Sequence, residues 1–127
     1  MKVDVIIPTY KPGKEFQELI HRLQKQTYPI HRIIVINTQT GVFPTELESE
    51  PYQIEVTHIR PEDFDHGGTR NMGASISQAD IVLYMTQDAV PEDEHLIETF
   101  ANVFEKHPEI GIAYGRQLPR EDCNVIE

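Results

Sequence analysis

Short apolar runs alternate along this chain with stretches of helical periodicity, and this alternation restricts the fold more than any other feature. The apolar runs cover residues 3–7, 33–36, 81–85 and 110–115, while a further run at 53–59 alternates apolar with polar residues. Continuous runs of this length are typical of strands buried on both faces, and alternation is typical of a strand nearer a sheet edge. The sequence therefore predicts an α/β fold with a mostly parallel sheet flanked by helices.

Three amphipathic helices are expected between these strands. Prolines and a glycine at 8–13 end the first strand, and the first helix then runs to Tyr28-Pro29, because the residue before a proline avoids helical conformations. The second helix opens at 66–71 and places three apolar residues on one side: Met72, Ile76 and Ala79. The third begins after Pro91 with acids at 92–94 in its first turn, where the helix dipole favours negative charge.

Composition excludes several classes of protein. The 127 residues suit one domain spanning 1–127, and the formal net charge of −10 argues against a nucleic-acid partner, because phosphate contact needs a basic face. The single cysteine, Cys123, forbids an internal disulfide and favours a cytoplasmic location. No apolar stretch approaches the ~18 residues of a membrane span. No helical pattern follows the fifth strand, so we expect a domain truncated after about that strand, at the front of a longer protein.

One carboxylate follows the run at 81–85. In open α/β sheets ligands bind at the carboxyl ends of the strands, and Asp88 comes directly after such a strand. Hard cations such as Mg²⁺ or Mn²⁺ take carboxylate oxygens and leave positions open for phosphate. Asp88 is therefore the first candidate metal ligand, although an acid in this place is also a common turn former.

Three other loops reach the same predicted edge. After the first strand, Tyr10 could stack on a flat base and Thr9 could hydrogen-bond it, while Asn37 offers an amide after the second strand. The stretch 66–71 brings glycines and Arg70 to a helix start, where free N–H groups attract anions. Packing roles for Tyr10 and a solvated Arg70 are the simpler readings. A His/Asp metal site is also conceivable near His58 and residues 63–66, but no familiar ligand spacing supports it.

Taken together, these segments resemble the family 2 inverting glycosyltransferases of the GT-A fold, which is Rossmann-like. The matching segments are 5–10 (VIIPTY), 32–37 (RIIVIN), 68–73 (GTRNMG) and 81–88 (IVLYMTQD), in family order and spacing. The combination of 64–71 (FDHGGTRN) with 86–89 (TQDA) is most similar to the bacterial rhamnosyltransferase-type branch.

The resemblance implies a role for each matching residue. The nucleotide-binding set would comprise Pro8, Thr9, Tyr10, Asn37, Arg70, Gln87 and Asp88. Asn37 stands where the family commonly has an acid that holds the base, which leaves the choice of base open. The family's Asp-x-Asp motif is Thr86-Gln87-Asp88 here, so the first acid is missing and Asp88 alone would bind the divalent metal.

The resemblance also implies the reaction. A nucleotide-diphosphate sugar would be the donor, a glycan or lipid-linked molecule the acceptor, and the anomeric centre would be inverted through an oxocarbenium-like transition state. Such enzymes build bacterial surface polysaccharide in the cytoplasm, and a C-terminal part absent from this sequence would bring the protein to the inner face of the membrane. The family's general base also lies beyond this sequence, so the catalytic residue and the oligomeric state stay unknown.

Two other functions stay open at this point. A nucleotidyltransferase also uses nucleotides and metal on an α/β sheet, although residues 8–11 lack the glycine- and basic-rich first loop of that class. A non-catalytic nucleotide-sugar-binding domain would keep the fold without turnover, and the missing first acid of the metal motif favours it.

Overall fold

A computed structural model describes residues 2–39, 41, 43–44, 54–63, 68, 72–73 and 75–107. Four strands form one sheet in the order β3-β2-β1-β4, and every neighbouring pair is parallel. The strands are β1 (Val3–Tyr10), β2 (Arg32–Thr38), β3 (Glu55–Ile59) and β4 (Ile81–Tyr84). The predicted parallel α/β architecture is confirmed, and the alternating strand β3 does lie at an edge of the described sheet.

Helices cover both faces of this sheet, because its residues alternate between two apolar clusters. On one face α1 (Lys14–Gln24) and α2 (Leu96–Lys106) pack on alternate strand residues such as Val5, Ile7 and Val35. On the other face Ile6 and its neighbours on β2 form a second cluster. The middle helix, described at residues 68, 72–73 and 75–76, contributes Ile76 to that second cluster.

The middle helix approaches the sheet very closely at Gly73. A Cβ atom built on Gly73 would lie 2.5 Å from Cγ2 of Ile6, which is fully buried in β1. Glycine is therefore required here by contact with the sheet. Met72 is 38% exposed and Ala79 lies beyond the helical residues, so the predicted inner side of this helix is wrong for these two positions.

A buried charge lies inside β1. The carboxylate of Asp4 is fully buried and contacts His31 Nδ1 at 3.0 Å through one oxygen. Its other oxygen accepts a hydrogen bond from the Ser77 hydroxyl at 2.6 Å. Burial of a carboxylate is tolerated only when such partners satisfy it, so this trio ties the starts of β1 and β2 to the segment before β4.

The first strand does not end at the proline, contrary to the prediction. Pro8 lies within β1 and pairs with Ile36 of β2, and the strand continues to Tyr10. The pairing of β1 with β4 stops at Ile6. The N–H of Tyr10 points to that unpaired side. Backbone groups of a strand alternate in direction from residue to residue, so the nitrogen of Pro8, two positions earlier, points to the same side. A proline is tolerated where a strand needs no ladder donor.

Two helix boundaries also differ from the prediction. The first helix ends at Gln24 instead of continuing to Tyr28, and α2 begins at Leu96, so the acids 92–94 precede it. The side chain of Arg22 donates to the carbonyl oxygens of Pro91 and Glu92, and the N–H of Thr27 donates to the carbonyl of Glu94. These contacts take the carbonyl groups that a longer α2 would have used for its own first turn.

A side chain that follows α1 also replaces a capping residue for α2. The carboxamide oxygen of Gln26 accepts a hydrogen bond from the N–H of Ile97 at 3.1 Å, while no side chain at the N-cap position does so.

The fifth strand predicted at 110–115 and Cys123 lie outside the described residues. None of the helices in the described part of the chain has both the length and the apolar character that a bilayer crossing requires.

Candidate functional site

A row of three polar side chains crosses the sheet at its carboxyl edge. Strand pairing places Thr9 of β1 beside Asn37 of β2, and Asn37 beside His58 of β3. Thr9 and Asn37 are 3% and 2% exposed, so their polar groups depend on each other and on His58 for hydrogen bonds. Because all four described strands are parallel, this row lies at the edge where a ligand of an open α/β sheet is expected.

The hydrogen bonds within this row fix the orientation of Asn37. The hydroxyl of Thr9 donates to Asn37 Oδ1 at 2.8 Å, and Asn37 Nδ2 lies 3.0 Å from His58 Nδ1. An amide nitrogen can only donate, so Nδ1 of the His58 ring is the acceptor in this contact. The amide of Asn37 is therefore held on both sides by its neighbours in the sheet.

An aromatic side chain connects the row to α1. The ring of Phe43 packs edge-on against His58, with centroids 5.4 Å apart, and tilts against Phe16 of α1 at 5.8 Å. Phe16 is fully buried. The orientation of His58 is therefore set by its amide contact and by an aromatic contact that extends into the core.

The loop after β1 is joined directly to the turn after β4. The carboxamide oxygen of Gln87 accepts a hydrogen bond from the N–H of Tyr10 at 2.7 Å, and its nitrogen donates to the carbonyl of Tyr10 at 3.0 Å. Tyr10 itself is 55% exposed beside this contact. The same turn carries Asp88, so the predicted metal ligand and the predicted base-stacking residue belong to neighbouring segments of one edge.

The carboxylate of Asp88 faces solvent at this edge. Asp88 is exposed, and its Oδ1 accepts a hydrogen bond from the Thr86 hydroxyl at 3.0 Å. In the described part of the chain, no three acidic, histidine or cysteine side chains converge as a metal cage. Asp65 and His66 of the conceivable site near His58 lie outside the described residues, so that site stays a prediction. A single exposed carboxylate does fit Mg²⁺ or Mn²⁺ bound together with phosphate oxygens and water, because these ions keep several waters.

Lys11 adds a strained backbone and a positive charge that the predicted site did not include. Its φ of +47° is in the left-handed region. This conformation is unfavourable in free energy for any residue that has a side chain. Its ammonium lies 5.5 Å from the centroid of the Tyr10 ring, within the range of a cation–π contact. One face of Tyr10 is therefore covered by a cation. The only hint in the sequence was a lysine between Tyr10 and Pro12.

Part of the predicted site lies elsewhere or outside the described residues. Arg70 falls outside them, so its predicted contact with a nucleotide stays a prediction. Pro8 is part of β1, half-buried behind the edge. A depression of about 510 Å³ between α1 and the turn before α2 contains none of the predicted residues, and its described lining consists of Glu18, His21, Arg22, Lys25, Asp93 and Glu94. Its lining of opposite charges offers no match to a nucleotide.

The sequence matches one family over nearly its whole length. The family model for glycosyl transferase family 2 covers residues 4–126. The chain is 35% identical over 127 residues to the O-antigen chain rhamnosyltransferase RfbN of Salmonella typhimurium, covering 99% of this chain and 40% of that protein. It is 34% identical over 124 residues to the O-antigen chain rhamnosyltransferase WbaN of Salmonella anatum, covering 96% of this chain and 39% of that protein.

Structural comparison agrees. A crystal structure of TarS from Staphylococcus aureus in complex with UDP-GlcNAc superposes with a TM-score of 0.67 at 22% sequence identity, covering 94% of this chain and 37% of that one. A parallel sheet of this order, with helices on both faces, defines the α/β class, and the likeness to TarS specifies the GT-A fold. The chain belongs to glycosyltransferase family 2. It spans about two fifths of the length of the curated relatives it matches.

Proposed function

We propose that this chain is the donor-binding part of an enzyme that transfers a sugar from a nucleotide-diphosphate donor to a glycan or lipid-linked acceptor in bacterial surface polysaccharide synthesis. The observation that carries the proposal is the double hydrogen bond between Gln87 and Tyr10, which brings the turn with Asp88 against the end of β1. Family membership supplies the reaction class. We place the enzyme in the cytoplasm, at the inner face of the membrane.

The base end of the donor would lie against β1 and β2. Tyr10 presents its ring to solvent while Lys11 covers one face, so a nucleobase would stack on the opposite face. Thr9 and Asn37 already satisfy each other, so they would form a preorganised polar wall beside the base. Arg70 would add a forked contact from the helix start.

The diphosphate end would lie near Asp88. Its exposed carboxylate would hold a Mg²⁺ or Mn²⁺ ion together with phosphate oxygens. When bound, this ion offsets the charge of the diphosphate. Thr86, which replaces the first acid of the family motif, donates a hydrogen bond to Oδ1 of Asp88 and so orients the remaining acid. The two residues would thus do with one carboxylate what the family commonly does with two.

The sugar and the stereochemistry follow from the relatives. RfbN and WbaN are named O-antigen chain rhamnosyltransferases, which supports rhamnose as the transferred sugar. We propose an inverting transfer, in which the acceptor hydroxyl attacks the anomeric carbon as the bond to the diphosphate breaks, leaving from the opposite face. Positioning of donor and acceptor in line supplies much of the rate. A general base must take the proton of the acceptor hydroxyl.

Metal-dependent stabilisation by nucleoside diphosphates tests the proposal. The 127-residue chain is heated with dTDP, UDP or GDP, with and without Mn²⁺. At a ligand concentration of ~100 Kd, one nucleotide should stabilise the fold by ~2.7 kcal/mol, which is about 10 °C for a domain of this size. Asp88→Asn should remove the Mn²⁺-dependent part, because an amide binds a hard cation weakly.

Glu92→Gln is the matched control. Glu92 is exposed four positions further on, and the substitution makes the same change in net charge. Its melting shift with nucleotide and Mn²⁺ should equal that of the unchanged chain. Absence of any metal-dependent shift, or an equal loss in both variants, would contradict the role of Asp88. Strong preference for a nucleoside triphosphate would favour a nucleotidyltransferase instead.

A further inference from the structure

A side chain in the middle of the Thr86-Gln87-Asp88 turn makes a long-range contact at the carboxyl edge. The carboxamide of Gln87 contacts both the N–H and the carbonyl of Tyr10, at 2.7 and 3.0 Å. The two residues are 77 positions apart in sequence. Both polar groups of one main-chain residue are therefore satisfied by a single side chain.

This contact takes the place of strand pairing on the β4 side of Tyr10. The pairing of β4 with β1 ends at Tyr84 and Ile6, followed by one more hydrogen bond from the N–H of Met85 to the carbonyl of Ile6. Beyond this point the described residues place no strand beside the end of β1 on the β4 side. The carboxamide of Gln87 carries the same donor and acceptor as a peptide group, so it continues the ladder at Tyr10.

The position of Tyr10 makes this contact important for the site. Tyr10 is the last residue of β1, and the backbone turns into the left-handed region at Lys11 directly after it. Tyr10 pairs with Thr38 of β2 on its other side, and the residue is 55% exposed. The carboxamide of Gln87 holds the main chain immediately before the bend.

We propose that Gln87 is a positioning residue, which acts on the nucleotide through Tyr10 and not by touching it. Its carboxamide ties the base-stacking end of β1 to the turn that carries Asp88, so that one side chain sets both ends of the donor site. This inference rests on the proposed function for its consequence, but the contact itself can be tested without any ligand.

Hydrogen exchange at the amide of Tyr10 tests the contact in the ligand-free chain. Gln87→Leu removes both hydrogen bonds while keeping a side chain of similar size, and exchange of the Tyr10 amide measured by NMR should accelerate about ten-fold or more. Gln78→Leu is the matched control, because Gln78 is exposed and precedes β4 at its other end. Unchanged exchange at Tyr10 in Gln87→Leu would overturn the inference.

A second variant keeps the test valid if Gln87→Leu fails to fold. Gln87→Glu retains an oxygen that accepts from the Tyr10 N–H, but it places a carboxylate oxygen against the Tyr10 carbonyl in place of a donor. Exchange at Tyr10 should then be faster than in the unchanged chain and slower than in Gln87→Leu. If exchange in Gln87→Glu were as slow as in the unchanged chain, the hydrogen bond from the Gln87 nitrogen to the Tyr10 carbonyl would contribute nothing. That result would contradict the inference that both hydrogen bonds hold Tyr10.

Binding of nucleoside diphosphate with Mn²⁺ then tests how Gln87 acts. Gln87→Leu should weaken binding of the nucleotide selected by melting shifts about ten-fold in the presence of Tyr10, and less than about two-fold in the Tyr10→Ala background, because the two changes remove the same contact with the base. An equal loss in both backgrounds would mean direct contact and overturn the positioning role. If no nucleotide binds the unchanged chain, the proposed function fails, and the exchange measurement still decides whether Gln87 holds Tyr10.

Discussion

Substitution of Gly73 by alanine should expose how closely the middle helix is packed on the sheet. The added Cβ would lie 2.5 Å from Cγ2 of Ile6 and 3.0 Å from its Cδ1, whereas ordinary contacts begin near 3.4 Å. Ile6 is fully buried, and a densely packed core leaves little room for its side chain to shift. Relief therefore requires the helix to move outward by about 1 Å, away from the apolar surface that it covers.

The expected loss of stability is the difference of two effects. Overpacking of a dense core costs ~1–3 kcal/mol, and replacement of glycine by alanine in a helix returns up to ~1 kcal/mol. The free energy of unfolding should therefore fall by about 1–2 kcal/mol in Gly73→Ala. Ser75→Ala changes an exposed residue of the same helix and should alter stability by less than ~0.5 kcal/mol.

Urea denaturation followed by circular dichroism measures both variants. A double-mutant cycle with Ile6→Ala isolates the contact: the single change should cost ~2–5 kcal/mol, but less in the Gly73→Ala background, with a coupling of ~1–3 kcal/mol. If Gly73→Ala proved neutral or stabilising, or if the cycle showed no coupling, the close approach of helix and sheet at Ile6 would be refuted.

Two further predictions concern polar contacts. Asn37→Leu should lower the free energy of unfolding by ~1–3 kcal/mol in urea titrations, because the buried hydroxyl of Thr9 loses its acceptor and the contact with His58 is removed; an unchanged midpoint would contradict these hydrogen bonds. The hydrogen bond with Glu98 holds the pKa of His95 above its usual 6.5, while bonds from Thr27 and His95 hold the pKa of Glu98 below its usual 4.5. The stabilisation of the fold by protonated His95 is thus complete below pH ~6.5 and is lost as the pH rises through the folded pKa of His95. The stabilisation of the fold by ionised Glu98 is lost at low pH. The decrease in melting temperature caused by His95→Gln should be largest between about pH 4.5 and 6.5 and smaller at higher pH. A decrease that does not depend on pH would contradict the ion pair between His95 and Glu98.

The sequence predicted the elements whose signal is local. Buried parallel strands produce uninterrupted apolar runs, so β1, β2 and β4 were placed within a few residues, and the alternation of β3 revealed its edge position. The carboxyl edge could also be predicted, because parallel strands must end on one side. The sequence alone therefore predicts that four candidate residues lie at one edge: Thr9, Tyr10, Asn37 and Asp88.

Other features of the site depended on partners that are remote in sequence. Nothing in the sequence near Gln87 indicates that its carboxamide contacts the main chain of Tyr10, and its resemblance to a nucleotide-binding motif favoured a different role. The same holds for Asn37, whose amide is held by Thr9 and His58 on neighbouring strands. A polar side chain shows its chemistry in the sequence, but its partner is known only once the strand register is known.

The predicted end of β1 and the predicted start of α2 were wrong for a related reason. A proline lacks the N–H of a central strand, so the sequence predicts that β1 ends at Pro8, yet Pro8 lies within β1 at a point where β4 no longer pairs with it. The acids at 92–94 suited the first turn of a helix, yet side chains from the end of α1 take the carbonyl groups there. Local preference amounts to ~1 kcal/mol or less per residue, so a few tertiary hydrogen bonds decide such boundaries.

The sequence by itself determined the α/β class, the parallel sheet and the edge at which a ligand would bind, because apolar periodicity and the direction of strands are properties of short segments. Only the tertiary structure decided that Gln87 clamps Tyr10, that Gly73 contacts Ile6 and that the amide of Asn37 is shared across three strands. Each of these depends on distances between segments far apart in the chain, which packing sets and local periodicity does not encode.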